Sequence, residues 1–355
     1  MSDRAGADSR GHEFLSEVVP ESPLLSKLLN TARGEPVSLR VVVAAALFDP
    51  ENGYYTKNIR TVGRRGDFTT TPELSSVLGC AVAEWLRRNR KFASNRGRSH
   101  FIELGAGTGE LMRQIRKSLG LLAGLRWNFS IVDISEPLKA LQAQKLGTAV
   151  RWYHDAVASI GDSSGCALML GHEFVDAFPP KVAQFRNGKW RELMLARDAA
   201  GKVRFCLGNT DFSELAKHFL NPCEGQRVEL PVDFCEWLAR VRPSLRRTKI
   251  LLIDYGGTTQ EIYVRRKQGT LRSYSHHQRC EGADALARLG KCDITCDVDF
   301  SYIMREAMRM SLEVRPLHTF YDFVNEHTKS KDFLNSNPRL LEICEMFRCL
   351  ELCVG

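Results

Sequence analysis

The 355-residue sequence lacks a long apolar run, so we expect no helix that spans a membrane. Its longest uninterrupted apolar run, Val41–Phe48, has 8 residues, whereas a span needs about 18 or more. The first forty residues carry several acidic side chains and no apolar segment, which predicts neither a secretory signal nor a mitochondrial presequence. We therefore expect a cytoplasmic protein, with the mitochondrial matrix as the alternative.

The sequence also lacks paired cysteine spacing. Its 11 cysteines are an odd number in a chain long enough to fold without disulfides, which favours a reducing compartment. One cluster contains His276, His277, Cys280, Cys292 and Cys296, but its spacing matches no standard zinc-ligand pattern. We therefore predict no metal site.

Neither sign of charge dominates. The chain has 50 Lys and Arg against 42 Asp and Glu, and its formal net charge of +8 is compatible with an acidic partner without requiring one. The basic run Arg87–Arg98 contains Phe92 as its one aromatic residue, so a solvated helix end is a better interpretation than a nucleic-acid-binding stripe. The composition, 43% apolar and 26% charged, excludes wholesale disorder and a coiled coil.

Short apolar strands alternate with helices from residue 99 onward. The predicted strands are His100–Leu104, Asn128–Asp133, Ala149–Tyr153, Cys166–Leu170 and Lys249–Asp254. The predicted helices between them are Glu110–Leu119 and a segment near Pro137–Lys145. This alternation predicts an α/β fold with a doubly wound parallel sheet.

Residues 1–98 are predicted to form a separate, largely helical region, and residues 99–355 the sheet domain. Residues 1–21 are polar and we expect them to be mobile. Ser22-Pro23 is a typical helix start, and another helix is predicted from Leu74 to about Arg90.

The sheet domain contains a β-rich insertion at about 181–248. Asn187-Gly188 lies between two alternating apolar runs near its start, which is a strong hairpin signal. The insertion separates the fourth predicted strand from the fifth.

A glycine-rich loop follows the first predicted strand. Gly105, Gly107 and Gly109 come directly after it and open a helix, whereas a dinucleotide fold would place its third glycine at position 110, which is Glu110. The spacing instead suits S-adenosylmethionine, because small residues let the backbone approach the ligand and the helix N-terminus can face its carboxylate. An ordinary tight turn between strand and helix is the alternative.

Acidic residues follow the next two predicted strands. Asp133 ends the second, where a carboxylate can accept both ribose hydroxyls, and a capping aspartate before Ser135 is the alternative. Asp155 ends the third and could contact the adenine amino group, although a surface aspartate is nearly as good an interpretation.

Glu173 and Asp176 follow the fourth predicted strand. Ligands of open α/β sheets bind at the carboxyl ends of strands, so both acids should border the methyl donor. Two carboxylates three residues apart could hold a guanidinium through bidentate hydrogen bonds and orient one nitrogen. A helix-capping pair of acids is the alternative.

An ordered set of motifs resembles one family. These motifs are Asn52-Gly-Tyr-Tyr55, Gly66-Asp-Phe-Thr-Thr-Thr-Pro-Glu73, Glu103-Leu-Gly-Ala-Gly-Thr-Gly109, Glu173-Phe-Val-Asp-Ala-Phe-Pro179, Leu252-Ile-Asp-Tyr-Gly256, Gly269-Thr-Leu-Arg-Ser-Tyr274 with His277, and Asp293-Ile-Thr-Cys-Asp-Val-Asp-Phe300. The chain thus resembles the S-adenosylmethionine-dependent methyltransferases that include the mitochondrial complex I assembly factor, and we expect a bacterial-type member.

The resemblance implies a class I methyltransferase fold, with a Rossmann-like seven-stranded sheet and an N-terminal helical region that covers the cofactor, S-adenosyl-L-methionine. It also implies roles for individual residues. The implied cofactor-binding residues are Asp67, Phe68, Thr69, Pro72, Glu103, Gly105, Gly107, Gly109 and Asp133, and Glu173 and Asp176 lie at the methyl-transfer end. In mitochondrial members the substrate is an arginine of a complex I subunit and the product is symmetric dimethylarginine.

Two residues depart from the family pattern. His172 replaces the usual asparagine, which changes hydrogen bonding and could add positive charge, and Asp133 replaces a glutamate. Our hypothesis is that Glu173 orients the guanidinium together with Asp176, and that His172, His277 or a water takes the proton. Methylation of a small molecule or RNA, or a cofactor-binding assembly chaperone without essential catalysis, are the alternatives.

Overall fold

The computed structural model describes residues 13–59, 63, 69–95, 97–212, 214, 219, 221–275, 278–328 and 345–355. Its helices are α1 (Pro23–Thr31), α2 (Leu39–Phe48), α3 (Thr71–Leu74), α4 (Val77–Asn89), α5 (Glu110–Leu119), α6 (Ala123–Arg126), α7 (Glu136–Leu146), α8 (Ala156–Asp162), α9 (Val232–Val241), α10 (Thr259–Tyr263), α11 (Phe300–Arg309) and α12 (Phe320–His327). Its strands are β1 (Glu13–Val18), β2 (Val37–Ser38), β3 (Ser94–Asn95), β4 (Arg98–Leu104), β5 (Trp127–Val132), β6 (Arg151–Tyr153), β7 (Cys166–His172), β8 (Lys181–Arg186), β9 (Lys189–Arg197), β10 (Val203–Asp211), β11 (Arg227–Leu230), β12 (Arg247–Gly257), β13 (Arg272–Ser275), β14 (Gln278–Glu281), β15 (Asp293–Thr295), β16 (Val298–Asp299), β17 (Glu313–Val314), β18 (His318–Thr319) and β19 (Phe347–Val354).

Contacts between residues divide the chain into two units. The antiparallel-sheet unit comprises Met1–Asn58, Asp176–Asp233 and Thr258–Asp299. The parallel-sheet unit comprises Ile59–Val175, Phe234–Gly257 and Phe300–Gly355. The domain boundary between residues 98 and 99 stays a prediction; by contacts, the described residues of 59–95 group with the parallel sheet.

The parallel-sheet unit has the predicted doubly wound α/β architecture. Its strands lie in the order β17-β19-β12-β7-β4-β5-β6, and β4, β5, β6, β7 and β12 are mutually parallel. β19 pairs with β12 in the antiparallel direction. This sheet confirms the predicted class I methyltransferase fold, and all five predicted strands are present in it.

The core of this unit explains why its strands are nearly continuous apolar runs. Phe101 of β4 and Leu168 and Leu170 of β7 are fully buried, and they belong to one apolar cluster with Leu78 of α4 and Met112 of α5. Strands covered on both faces by helices have no solvent-facing side that would require polar residues. The apolar runs are therefore the signature of a central parallel sheet.

One predicted helix begins later than expected. The helix predicted from Leu74 to about Arg90 is α4, Val77–Asn89. Leu74 instead ends the separate short helix α3, and Ser75 between the two helices has an extended backbone with φ −156° and ψ 150°. The Ser75 hydroxyl then accepts a hydrogen bond from the Val77 backbone nitrogen at 3.2 Å. A serine can satisfy backbone donors in this way, which favours a break over a continuous helix.

The antiparallel-sheet unit contains the part of the predicted insertion up to Asp233, whereas residues 234–248 belong to the parallel-sheet unit. Its larger sheet has the order β1-β10-β9-β8-β11, with β2 also paired to β9, and a second sheet has the order β14-β13-β15. Asn187 and Gly188 join β8 to β9 with φ values of 52° and 76°. Both angles are left-handed, as a tight two-residue hairpin turn requires, so the predicted hairpin is confirmed.

The N-terminal segment is more ordered than we expected from its polarity. The expectation that residues 1–21 are mobile is wrong for the described part, since Glu13–Val18 forms a strand that pairs with β10. Phe14 is buried, and the Glu13 carboxylate accepts hydrogen bonds from Arg186 and Arg191. The predicted start of α1 is confirmed, because the Ser22 hydroxyl accepts from the backbone nitrogen of Leu25 at 3.2 Å.

Candidate active site

The glycine loop, Asp133 and the turn after β7 share one edge of the parallel sheet. Leu104 at the end of β4 pairs with Val132 of β5 on one side and Gly171 of β7 on the other. The order of strands reverses at β4, because β5 and β6 lie on one side of it and β7 on the other. Open α/β sheets bind ligands outside the carboxyl ends of their strands at such a reversal.

The glycine loop has a backbone that other residues could adopt only with strain. Gly105, Gly107 and Gly109 have φ values of 63°, 52° and 77°. A Cβ atom on Gly107 would meet no protein atom within 4 Å, so space is open beside this residue. The loop thus leaves room for a ligand to approach its backbone at Gly107, as the sequence predicted.

Gln142 of α7 connects this loop to Asp133. Its Nε2 donates to the Gly107 carbonyl oxygen at 2.9 Å and to Asp133 Oδ2 at 2.7 Å. Its Oε1 accepts from Trp152 Nε1 at 3.0 Å, and the side chain is fully buried. Sequence analysis missed Gln142; a polar residue on the inner face of the helix after Asp133 was the available signal.

Asp133 makes a local contact beside the start of α7, and its ribose contact stays a prediction. Its Oδ1 accepts from the backbone nitrogen of Ser135, the N-cap residue of α7, at 2.9 Å, while Oδ2 accepts from Gln142. Burial raises the pKa of the Asp133 carboxyl above its ordinary value, even though these hydrogen bonds oppose the shift. Its position after β5 remains compatible with a ribose contact.

Glu103 is a buried carboxyl at the same edge. Its side chain is 2% exposed, and its Oε2 has no hydrogen-bond partner among the described residues. Burial, with a smaller contribution from the charge of Asp133, raises its pKa to about 8. An unsatisfied buried acceptor next to a glycine loop fits a ligand that brings hydrogen-bond donors or positive charge, as S-adenosylmethionine does.

The segment before α4 lies against the glycine loop. Thr108 of that loop donates through Oγ1 to Glu73 Oε1 at 2.5 Å, and Gln114 Nε2 of α5 donates to the Pro72 carbonyl oxygen at 2.8 Å. Thr69 is partly buried in the same segment. Asp67 and Phe68 lie outside the described residues, so their predicted contacts with the cofactor stay predictions.

Glu173 sits in a strained turn directly after β7. Its φ of 49° is left-handed, which is uncommon for a residue other than glycine. The Glu173 backbone nitrogen donates to the Ile253 carbonyl oxygen at 3.0 Å. Asp254 Oδ2 accepts from the backbone nitrogens of Phe174 and Val175 at 3.2 and 3.0 Å, and Asp254 is buried.

Sequence analysis did not assign a role to Asp254. The residue appears within one of the quoted motifs, and the available signal was an acidic residue at the end of a predicted apolar strand. The turn after β7 leads into β8 without an intervening helix, so Glu173 does not have the helix-capping role considered as the alternative.

His172 is a buried, neutral histidine. Its ring stacks on Phe347 with 6.0 Å between centroids, and its Nε2 lies 3.3 Å from Glu173 Oε1. Burial lowers the pKa of His172 to about 3. Burial therefore opposes the positive charge that this histidine could add, and a group this weakly basic is a poor proton acceptor.

Asp176 belongs to the antiparallel-sheet unit, where three of the quoted motifs meet. Its Oδ2 accepts from Thr295 Oγ1 at 3.2 Å. In the same unit the Tyr55 hydroxyl donates to Asp293 Oδ1 at 2.8 Å. Burial, then the charges of Asp293 and Asp176, raise the pKa of Tyr55 well above its ordinary value.

Asp155 and His277 are the remaining predicted site residues. Asp155 is exposed at the start of α8 and its side chain makes no capping hydrogen bond there, so an adenine contact stays a prediction. His277 lies outside the described residues. Within the part of the chain that the structure describes, no group of three His, Cys, Asp or Glu side chains is arranged to hold a metal, and no helix is long and apolar enough to cross a membrane.

Comparison with known proteins identifies relatives of this fold. A protein arginine methyltransferase, the mitochondrial NDUFAF7 of Danio rerio, is 28% identical over 317 residues, which cover 80% of this chain and 71% of the relative. Human mitochondrial NDUFAF7 is 28% identical over 345 residues, covering 85% and 73%. A crystal structure shows a likely methyl transferase from Burkholderia thailandensis bound to S-adenosyl-homocysteine. It superposes on this chain with a TM-score of 0.77 at 22% identity, and the superposition covers 95% of each chain.

A sequence profile assigns the family. It describes S-adenosyl-L-methionine-dependent methyltransferases and matches residues 78–317, which include the glycine loop and the turn after β7. Because open α/β sheets bind their ligands at the carboxyl ends of their strands, we predict that the methyl donor binds at this edge of the sheet. The chain belongs to this family of S-adenosyl-L-methionine-dependent methyltransferases, and its cofactor is S-adenosyl-L-methionine.

Proposed function

We propose that the methyl acceptor is an arginine of a protein. The observation that carries this proposal is the position of Glu173, a carboxylate held in a strained turn at the carboxyl end of β7. A carboxylate at this place can accept hydrogen bonds from a guanidinium and fix one of its nitrogens. The printed names of the relatives, which are protein arginine methyltransferases, point to the same substrate class.

Several residues of this chain contribute to binding and orienting the cofactor. When bound, the cofactor supplies an electrophilic methyl group. The glycine loop would let it approach the backbone closely, Gln142 fixes that loop to Asp133, and Glu103 Oε2 would accept from one of its donors. Positioning is the main contribution that a protein can make to a displacement at carbon.

Glu173 acts on the acceptor. A guanidinium keeps its charge up to very high pH and is a poor nucleophile, so it must be oriented and lose a proton. The Glu173 carboxylate draws positive charge toward the nitrogens that it contacts and away from the attacking one. Because the pKa of His172 is lowered to about 3, we assign the proton to a water rather than to this histidine; His277 stays a predicted alternative.

The family resemblance extends the proposal to the physiological partner. An arginine-bearing subunit of respiratory complex I is the proposed protein substrate, and symmetric dimethylation the proposed product. The cytoplasm, or alternatively the mitochondrial matrix, is the proposed location.

The test combines labelling with a matched pair of variants. Purified protein, radiolabelled S-adenosylmethionine and a protein extract are incubated, and the labelled residue is identified by mass spectrometry. We expect methylarginine from the wild type, at least about tenfold less from Glu173→Gln, and unchanged label from Glu136→Gln, whose carboxylate is 76% exposed in α7. Calorimetry with S-adenosylhomocysteine shows that each variant still binds the cofactor.

Three other results would change the proposal. Label in RNA or in a small molecule, with none in protein, would replace the arginine substrate by another nucleophile. Full turnover by Glu173→Gln would remove the role given to this carboxylate. Cofactor binding without any labelled product would favour an assembly chaperone.

A further inference from the structure

Three leucines project from the segment between α5 and β5. Leu121, Leu122 and Leu125 are 104%, 61% and 73% exposed, and we call them the leucine tip. Ala123 between them is buried and anchors the segment. Single exposed leucines are common on soluble proteins, but three within five residues form an exposed apolar patch.

Basic side chains surround this patch. Arg87 donates through Nη2 to the Ser118 carbonyl oxygen, and Arg98 donates through Nη2 to the carbonyl oxygens of Gly124 and, at 3.0 Å, Trp127. Both guanidinium groups therefore lie against the segment that carries the leucine tip. Lys117 and Arg126 are exposed just before and after it. We call Arg87, Arg98, Lys117 and Arg126 the basic rim.

The two segments that carry the rim are rich in basic residues, although Arg87 also pairs with Glu84 at 3.3 Å. Residues 85–102 contain six Lys and Arg and no Asp or Glu, and residues 111–132 contain four Lys and Arg and no Asp or Glu. Over the whole chain the two signs are nearly balanced, at 50 against 42. The leucine tip is therefore the apolar centre of a locally cationic surface.

This surface lies at the edge of the parallel sheet opposite the active site. The leucine tip immediately precedes the first residue of β5, and Arg98 is the first residue of β4, whereas the glycine loop follows the last residue of β4. The 7 residues of β4 separate the two edges by roughly 20 Å. A surface bound at the leucine tip would leave the cofactor edge accessible.

We propose that the leucine tip and the basic rim dock this protein onto an anionic lipid surface. The leucines enter the boundary between headgroups and acyl chains while the rim contacts the anionic headgroups. Aliphatic side chains cannot stack on bases, so a nucleic acid would leave the leucines unused. Interfaces with protein partners favour aromatic anchors in closely fitted pockets, and this patch has projecting leucines instead.

The test uses vesicle flotation with the full chain. The probes are vesicles of phosphatidylcholine alone and of phosphatidylcholine with about one third phosphatidylserine. We expect the wild type to float with the anionic vesicles only, and its binding to fall as salt rises. The triple variant Leu121→Ser, Leu122→Ser, Leu125→Ser should bind at least about tenfold more weakly, and Arg126→Gln about fivefold.

Two exposed residues away from the patch provide matched controls. Met308→Ser removes another exposed apolar side chain, which is 56% exposed, and Arg309→Gln removes another exposed cation. Both should bind vesicles as the wild type does. Calorimetry with S-adenosylhomocysteine confirms that every variant is folded, because the active site is at the other edge.

Three results would overturn the proposal. The first is a wild type that stays with the soluble fraction in the presence of anionic vesicles. The second is vesicle binding that the triple leucine variant retains in full. The third is binding to a single-stranded oligonucleotide that Arg126→Gln weakens while anionic vesicles are not bound, which would assign the basic rim to nucleic acid.

Discussion

Asp254 Oδ2 accepts a hydrogen bond from the backbone nitrogen of Val175 at 3.0 Å, and this bond connects β12 to the turn that carries Glu173. The same oxygen accepts from the Phe174 nitrogen at 3.2 Å. A left-handed glutamate is costly, and it persists only where its surroundings hold it. We therefore predict that Asp254 is a positioning residue, which would act on the substrate through Glu173.

Replacing Asp254 by alanine should impair turnover more than cofactor binding. The change leaves the backbone nitrogens of Phe174, Val175 and Tyr255 without this acceptor, so we expect a loss of about 1–3 kcal/mol in the free energy of unfolding and at least about tenfold lower turnover. Asp254→Asn keeps one acceptor oxygen in the same shape and should recover much of the turnover. Denaturant unfolding and methyl-transfer assays measure both effects; equal turnover by wild type and Asp254→Ala would contradict the positioning role.

Replacing Gln142 by alanine should weaken cofactor binding. The variant loses the hydrogen bonds to Gly107 and Asp133 that hold the loop and the carboxylate in place. We expect about tenfold weaker binding of S-adenosylhomocysteine and a loss of about 1–3 kcal/mol in stability. Gln144→Ala, an exposed position of the same helix, is the control and should behave as the wild type. Unchanged affinity in Gln142→Ala would show that the loop needs no such support.

The raised pKa of Glu103 predicts how the free energy of unfolding of the ligand-free protein depends on pH. Its folded pKa of about 8 lies above its ordinary value of 4.5, so the folded state binds the proton more tightly than the unfolded state. Its contribution to stability is complete below about pH 4.5 and is lost as pH rises through 8, by up to roughly 1 kcal/mol per pH unit.

Glu103→Gln should flatten this dependence between those pH values. The amide cannot ionise, so the variant's free energy of unfolding should change less than that of the wild type as pH rises. Urea unfolding at a series of pH values without ligand measures the difference. The same slope in both proteins would mean that Glu103 titrates near its ordinary pKa.

The sequence predicted the parallel sheet well because its signals are local. The strand before Gly105, the helix that begins at Glu110 and the acid after β5 follow one another within a short stretch, and each obeys a simple pattern of apolar runs and turn residues. The hairpin at Asn187-Gly188 is local in the same sense.

The residues that support the site were not predictable in this way. Gln142 acts on Gly107, 35 residues away, and Asp254 acts on Val175, 79 residues away. Such contacts exist only once the sheet has brought the elements together, so no local pattern indicates them. The strand Glu13–Val18 was missed for the same reason, since its polar side chains pair with arginines of a distant hairpin.

The most direct measurement is a calorimetric titration of three proteins with S-adenosylhomocysteine: the wild type, Gly107→Val and Gly147→Val. Gly107 and Gly147 have φ values of 52° and 57°, and a Cβ on either meets no protein atom within 4 Å, so both valines place a side chain in open space at a positive φ. If the glycine loop receives the cofactor, the wild type and Gly147→Val bind and Gly107→Val does not. Equal binding by all three proteins would contradict the assignment of the cofactor to this loop.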